Sequence, residues 1–190
     1  MQLSPSLKLQ FTFIKQTISK STEQIKYIPD HLINSLILIE DKRFRKHYGV
    51  DLYAILRAII RNTTTKRLEG ASTIVQQLIR NITNEREINI KRKMKEIILA
   101  SLIDKVYSKD EILFAYFDTY RFENCIGIFT FCKFENYNLD NLSVNQAAEI
   151  AARFKYPILR KTNYVKYLKR VRIIEIKTTL MAKKMLNPTK

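Results

Sequence analysis

Only three glycines and four prolines punctuate this chain of 190 residues, and between them apolar side chains recur at helical spacing. Those two residue types are the ones that stop helices and bend strands. A chain so poor in them, patterned with a period near 3.6, reads as all-α. Pro29 and Asp30 start one helix, with Leu32, Ile33, Leu36, Ile37 and Ile39 as its apolar face up to Glu40. Amphipathic patterns predict further helices over 52–61, 91–106 and 164–186. The pairs Thr73/Gln76, Ser108/Glu111 and Ser143/Gln146 have the spacing of capping boxes, each opening a helix. Leu168 and Ile176 are assigned to the apolar side of the last helix, with lysines and arginines elsewhere on it. No segment reads as a strand.

Residues 1–27 are polar and weakly patterned, a flexible or loosely helical lead-in. The domain is placed at 28–186, with 187–190 as a tail, and 120–141 is aromatic and irregular. A net charge of +16 favours a polyanionic partner: nucleic acid, anionic lipid headgroups or a phosphorylated substrate. Cys125 and Cys132 are too few for a disulfide framework and match no metal-ligand spacing. No apolar run approaches the roughly 20 residues that span a bilayer, and the N-terminal stretch lacks the apolar core of a signal peptide.

Three stretches carry chemistry. Glu40 lies three, four and seven residues after Ile37, Leu36 and Ile33, on their face of the helix. Contact with apolar side chains disfavours the charged carboxylate and raises its pKa, the usual route to a proton carrier near neutral pH. The stretch GASTIVQQLIRN places the hydroxyls of Ser72 and Thr73 at a helix N-terminus, with Gln76, Gln77, Arg80 and Asn81 beside them. That suits an anionic, oxygen-rich ligand, or it is a well-capped surface helix. Over 91–106, Met94, Ile97, Ile98, Ser101 and Leu102 are expected as the buried stripe, with Glu96 off its centre. Arg92 and Lys93 share the face of Glu96. They form either a cationic patch with an embedded acid or an intrahelical ion pair worth about 0.3–0.5 kcal/mol.

Together EDKRFRKHYGVD, GASTIVQQLIRN and RKMKE resemble the peptidoglycan glycosyltransferase family, the transglycosylase domains of class A penicillin-binding proteins and the monofunctional enzymes. The likeness is carried by Glu40, Asp41, Phe44, His47 and Gly49, then Gly70, Ser72, Thr73, Gln76, Gln77, Arg80 and Asn81, then Arg92, Lys93 and Glu96. SKDEILFAY resembles the family's fourth block. The resemblance implies a lysozyme-like head with a small membrane-facing jaw. It implies lipid II and a growing glycan strand as substrates, joined by β-1,4 links with inversion and loss of polyprenyl pyrophosphate. Glu40 matches the family's general base and Glu96 its second carboxylate. Arg80, Arg92 and Lys93 would hold phosphate oxygens. Asp41, Phe44, His47, Ser72, Thr73, Gln76, Gln77 and Asn81 complete the implied substrate site.

The chain also departs from the pattern. Ile88 stands where the family has an arginine, with Arg86 two residues earlier as the nearest substitute. Glu123 stands where a glycine is expected, FTFCKF replaces a small-residue run, and RFKYPILRK lacks the usual glycine and Asn-Pro. The competing readings are a non-catalytic binder of lipid II or glycan, and a lytic enzyme using Glu40 as acid. Nothing in the sequence demands a cofactor or metal, although a divalent cation such as Mg bridging pyrophosphate stays open. Nucleic acid is disfavoured, since no base-reading motif accompanies the charge. The expected location is peripheral, on the outer face of the bacterial cytoplasmic membrane, beside an anionic lipid surface or a membrane-anchored cell-wall partner. The candidate contact is the 52–61 helix with the exposed loop 63–70, carrying Arg57, Arg61, Lys66 and Arg67 near Ile59 and Ile60.

Overall fold

The apolar spacing that predicts a helix over Asp30–Glu40 is realised as drawn: Leu32, Ile33 and Leu36 are buried along one face of α2 (Asp30–Glu40). Structure is described for residues 4–24, 27–65 and 69–186 of a computed structural model, with side chains to 183. Among these the elements are α1 (Pro5–Gln24), α2, α3 (Leu52–Thr64), α4 (Ile74–Thr83), α5 (Ile90–Val106), α6 (Lys109–Thr119), α7 (Ile128–Phe134), α8 (Val144–Arg153) and α9 (Lys161–Leu186). Short 3-10 turns occupy Phe44–Lys46 and Leu139–Asn141. The described residues form no sheet, so the all-α expectation holds.

The chain divides into two compact units, one of Met1–Ile25 with Arg43–Thr119 and one of Lys26–Lys42 with Tyr120–Lys190. In the first unit α4 packs on α5 and α6, and α1 packs on all three. Half of the ten residues of α4 are buried: Ile74, Val75, Gln76, Leu78 and Ile79. By contrast α3 buries only Ala58 and exposes Leu52, Leu56, Ile59 and Ile60. In the second unit α2 packs on α8 and α9, and α8 on α9. Ala148, Ala151 and Ala152 of α8 let the helices approach closely, and Tyr167, Val171 and Ile174 of α9 fill against them with Ile39 at the edge. Ser35 and Thr178 satisfy each other inside this unit across 3.0 Å.

Four sequence expectations change. The lead-in over 1–27 contains a 20-residue helix that buries Leu7, Ile14, Ile18 and Ser21. Its core contacts fall at intervals of seven, four and three residues, a sparse stripe masked by polar neighbours and by Leu9 and Phe13 facing outward. The buried stripe of α5 is Glu96, Leu99, Ala100 and Ile103, rotated from the expected one, and Met94 is exposed. Within 120–141 lies α7, seven residues of low helix propensity held by packing of Ile128, Phe131 and Cys132. Phe131 stacks on Phe122 at 4.2 Å between centroids. Finally, α9 buries Tyr167, Val171, Ile174 and Thr178, leaving Leu168 and Ile176 exposed.

Candidate active site

The N-terminus of α4 is built as its sequence dictates. Thr73 is the N-cap. Its hydroxyl accepts from the Gln76 backbone N–H at 3.2 Å, while Gln76 Oε1 accepts from the Thr73 N–H at 3.2 Å. The Thr73 hydroxyl donates onward to the Gly49 carbonyl at 2.7 Å, tying the helix start to the loop of the first motif. Gly49 has φ +75°, and a Cβ there would meet the Ala100 carbonyl oxygen at 2.2 Å. Only glycine fits both the left-handed backbone and that close approach to α5. Phe44 and His47 hold the same loop from inside. Phe44 is fully buried, the two rings meet edge to face at 6.2 Å, and Lys109 donates to the His47 carbonyl at 2.7 Å.

Lys93 projects from the first turn of α5 toward this helix start. Its three ammonium protons are matched by three acceptors: Ser72 Oγ at 3.1 Å, Gln76 Oε1 at 3.1 Å and Glu96 Oε1 at 2.7 Å. Glu96 is the hub, its side chain 3% exposed. Arg92, one turn earlier, donates to Glu96 Oε2. Arg80 reaches both oxygens from α4, Nε to Oε2 at 3.3 Å and Nη2 to Oε1 at 3.4 Å. Burial alone would push the Glu96 carboxyl up. Its hydrogen bond and charge interaction with Lys93, and then those with Arg80, outweigh burial and hold it below its ordinary 4.5.

One carboxylate therefore organises three cations, leaving two positive charges in excess. Arg80 and Lys93 each keep about a third of their side-chain surface exposed, so the excess faces solvent. Within the network the buried amide donor Gln76 Nε2 has no hydrogen-bond partner among the described residues, and neither has Asn81 Nδ2, one turn after Gln77 on α4. Charge, donors and a helix N-terminus converge, an arrangement suited to phosphate oxygens. On the other side of α4, Gln77 accepts from the Tyr116 hydroxyl at 2.8 Å. An open groove of about 920 Å³ runs along 84–92 and Lys95, lined by Arg86, Lys91, Arg92 and Lys95. Ile88 in that segment is fully exposed.

In the second unit Glu40 is the last residue of α2, half-buried. The Asp41 N–H donates to the Ile37 carbonyl at 3.1 Å, and Asp41 itself is buried. Arg170 of α9 donates to the Ile39 carbonyl at 3.3 Å, fixing the end of α2 that carries Glu40.

The structure thus assembles Ser72, Thr73, Gln76, Arg80, Arg92, Lys93 and Glu96 into one network, while Asn81 follows Gln77 by one turn and makes no bond to that network. Arg86 lies in the adjacent groove, and Phe44 and His47 lie within the loop that α4 grips. Sequence reasoning missed Lys95, which lines the groove one residue before Glu96, and the Tyr116–Gln77 bond. No local motif signals a hydroxyl 39 residues away. The expected charges of α3 are partly spent: Arg57 and Arg61 both bind Glu69, at 2.8 and 3.0 Å. Lys66 and Arg67 lie outside the described residues. No helix among the described residues is long and apolar enough to cross a membrane.

A sequence model of the family described as Transglycosylase matches residues 8–185. Penicillin-binding protein 1A of Rickettsia conorii is 38% identical over 139 residues, 70% of this chain and 18% of that protein. The protein of the same name from Clostridium botulinum is 36% identical over 163 residues, 78% of this chain and 20% of that protein. That of Clostridium tetani is 41% identical over 117 residues, 59% of this chain and 15% of that protein. The chain spans about a fifth of the length of the first two of these relatives.

Proposed function

The chain belongs to the transglycosylase family, and we propose that it is a peptidoglycan glycosyltransferase domain that polymerises lipid II. The observation that carries this reading is the Glu96 network: three cations from two motifs on one buried carboxylate, with positive charge left over. Such a site meets the charge that develops as a pyrophosphate leaves. In the proposed step the 4-hydroxyl oxygen of lipid II attacks the anomeric carbon of the growing strand. The bond from that carbon to the phosphate oxygen breaks, and polyprenyl pyrophosphate departs with the bonding electrons. The hydroxyl proton passes to Glu40, and attack from the opposite face inverts the anomeric carbon. Arg80, Arg92 and Lys93 hold the pyrophosphate oxygens, and Glu96 keeps those three cations in place.

No step is assigned to a metal. The groups at the proposed pyrophosphate site are cations and a carboxylate they already engage, so they do not fit a divalent ion. Mg would have to be held by the substrate's own oxygens. Contact with the membrane that holds the lipid tail falls to the exposed Leu52, Leu56, Ile59 and Ile60 of α3. The domain would then work on the outer face of a bacterial cytoplasmic membrane, alone or with an anchored cell-wall partner.

Incubation with lipid II tests this directly. Glycan polymer is the expected product, and Glu40→Gln is expected to lower its rate by about 10²–10⁴ while leaving helicity unchanged. Wild-type rates in the glutamine variant would remove Glu40 from the role of base. Binding of lipid II without polymer would instead mark a non-catalytic relative, in line with the exposed Ile88 where the family has an arginine. Release of soluble fragments from purified wall would mark a lytic enzyme.

A further inference from the structure

We infer that α9 is a second docking surface, a helix that lies along an anionic lipid bilayer independently of α3 and of the catalytic reading. One face of α9 is fully used: Tyr167, Val171, Ile174 and Thr178 are buried against α8 and α2. At about 100° per residue, the opposite face carries Val165, Ile173, Ile176 and Leu180. These are 60, 46, 47 and 54% exposed, a row of large aliphatic side chains open to solvent. The cations take the positions around that row. Lys166 and Lys177 lie to one side, Arg172 and Lys183 to the other, and Lys169 lies within it. All five are exposed. Across its 26 residues α9 holds a single acid, Glu175, which binds Arg172 at 2.9 Å. Among the described residues Lys166, Lys169, Lys177 and Lys183 have no ion-pair partner.

This pattern selects its occupant. A second copy of the chain would bring the same positive face against itself, and like charges would repel. A soluble polyanion would meet the lysines but leave four aliphatic side chains in water. An anionic bilayer satisfies both sets at once: the aliphatic row enters the headgroup–acyl boundary, and lysine stems extend their ammonium groups to the lipid phosphates. The surface differs in kind from α3, whose Arg57 and Arg61 are already held by Glu69. The exposed face of α3 is thus chiefly apolar, whereas α9 presents an aliphatic row together with lysines that have no ion-pair partner among the described residues.

Sedimentation of the full chain with vesicles tests the inference, using phosphatidylcholine alone and an equal mixture of phosphatidylcholine and phosphatidylglycerol. Wild type should bind the mixed vesicles at low salt, release at high salt, and bind the neutral ones far less. Removing the lysines (K166Q, K169Q, K177Q and K183Q together) should weaken mixed-vesicle binding by about fivefold per lysine at most, with circular dichroism unchanged. Ile173→Ser with Ile176→Ser and Leu180→Ser should also weaken it at least tenfold. Unchanged affinity in the lysine variant overturns the proposal. So does unchanged affinity in the serine variant, which would make α9 a polyanion reader. A wild-type dimer that the serine variant converts to monomer would assign the face to a second copy, and equal binding to neutral vesicles would remove the role of the lysines.

Discussion

Replacing Glu96 by glutamine would leave Arg80, Arg92 and Lys93 facing one another with no charge between them. Each loses a charge-assisted hydrogen bond to a nearly buried oxygen, so Glu96→Gln is expected to destabilise the first unit by about 2–3 kcal/mol at neutral pH. The sign of the pH dependence follows from the direction of the shift. The folded carboxyl titrates below its ordinary 4.5, so its stabilisation is complete above about that pH. It is lost as pH falls through the folded value. The gap between wild type and Glu96→Gln, measured by denaturant unfolding, should therefore be wide at pH 7 and narrow in acid; equal gaps at both would refute the charge argument. The sequence placed Arg92, Lys93 and Glu96 on one face but set Glu96 off the centre of the buried stripe. Apolar residues surround α5 on nearly every side, so periodicity cannot choose the inward face. What turns Glu96 inward is Arg80, sixteen residues earlier on another helix, which no local pattern supplies.

At the scale of elements, the capping boxes were the most legible signals. Thr73/Gln76 and Ser143/Gln146 both form reciprocally, and Ser108 and Glu111 bond each other's backbone N–H groups at 2.7 and 3.3 Å. These depend on residues three apart, so tertiary context cannot easily override them. The helices α1 and α7 depend on context instead: one on a sparse stripe that only α4, α5 and α6 make sense of, the other on the Phe122–Phe131 stack. Thr73 also has a role beyond its own helix, through the bond to Gly49. Thr73→Ala would lose the cap, about 1 kcal/mol, and that second bond, about another 1 kcal/mol. Thr73→Ser keeps the hydroxyl and should recover most of the loss. Thermal unfolding of the pair decides it; if alanine and serine lower stability equally, the hydroxyl is not what matters.

The order of the chain and the order of the units differ at the scale of the whole molecule. Residues 26–42 belong with the C-terminal third, so α2 is separated in sequence from α8 and α9, which it packs against. The sequence showed α2, α8 and α9 as separate amphipathic helices but not which of them meet, because an apolar face does not name its partner. Leu32, Ile33 and Leu36 of α2 are at most 7% exposed, and burying each contributes about 1.5–3 kcal/mol. Their sum is comparable to the 5–15 kcal/mol that holds a typical domain folded. A fragment of residues 120–190 exposes the faces of α8 and α9 that α2 covers, and also leaves Thr178 without Ser35. It is therefore expected to remain largely unfolded, with weak helical circular dichroism and no cooperative melt. Adding a peptide of residues 27–42 should restore both helicity and a cooperative transition, in proportion to peptide concentration. The same peptide with Leu32→Asp and Leu36→Asp should restore neither. A 120–190 fragment that melts cooperatively by itself would show that α8 and α9 are stable without α2, and that the second unit needs only the C-terminal part of the chain.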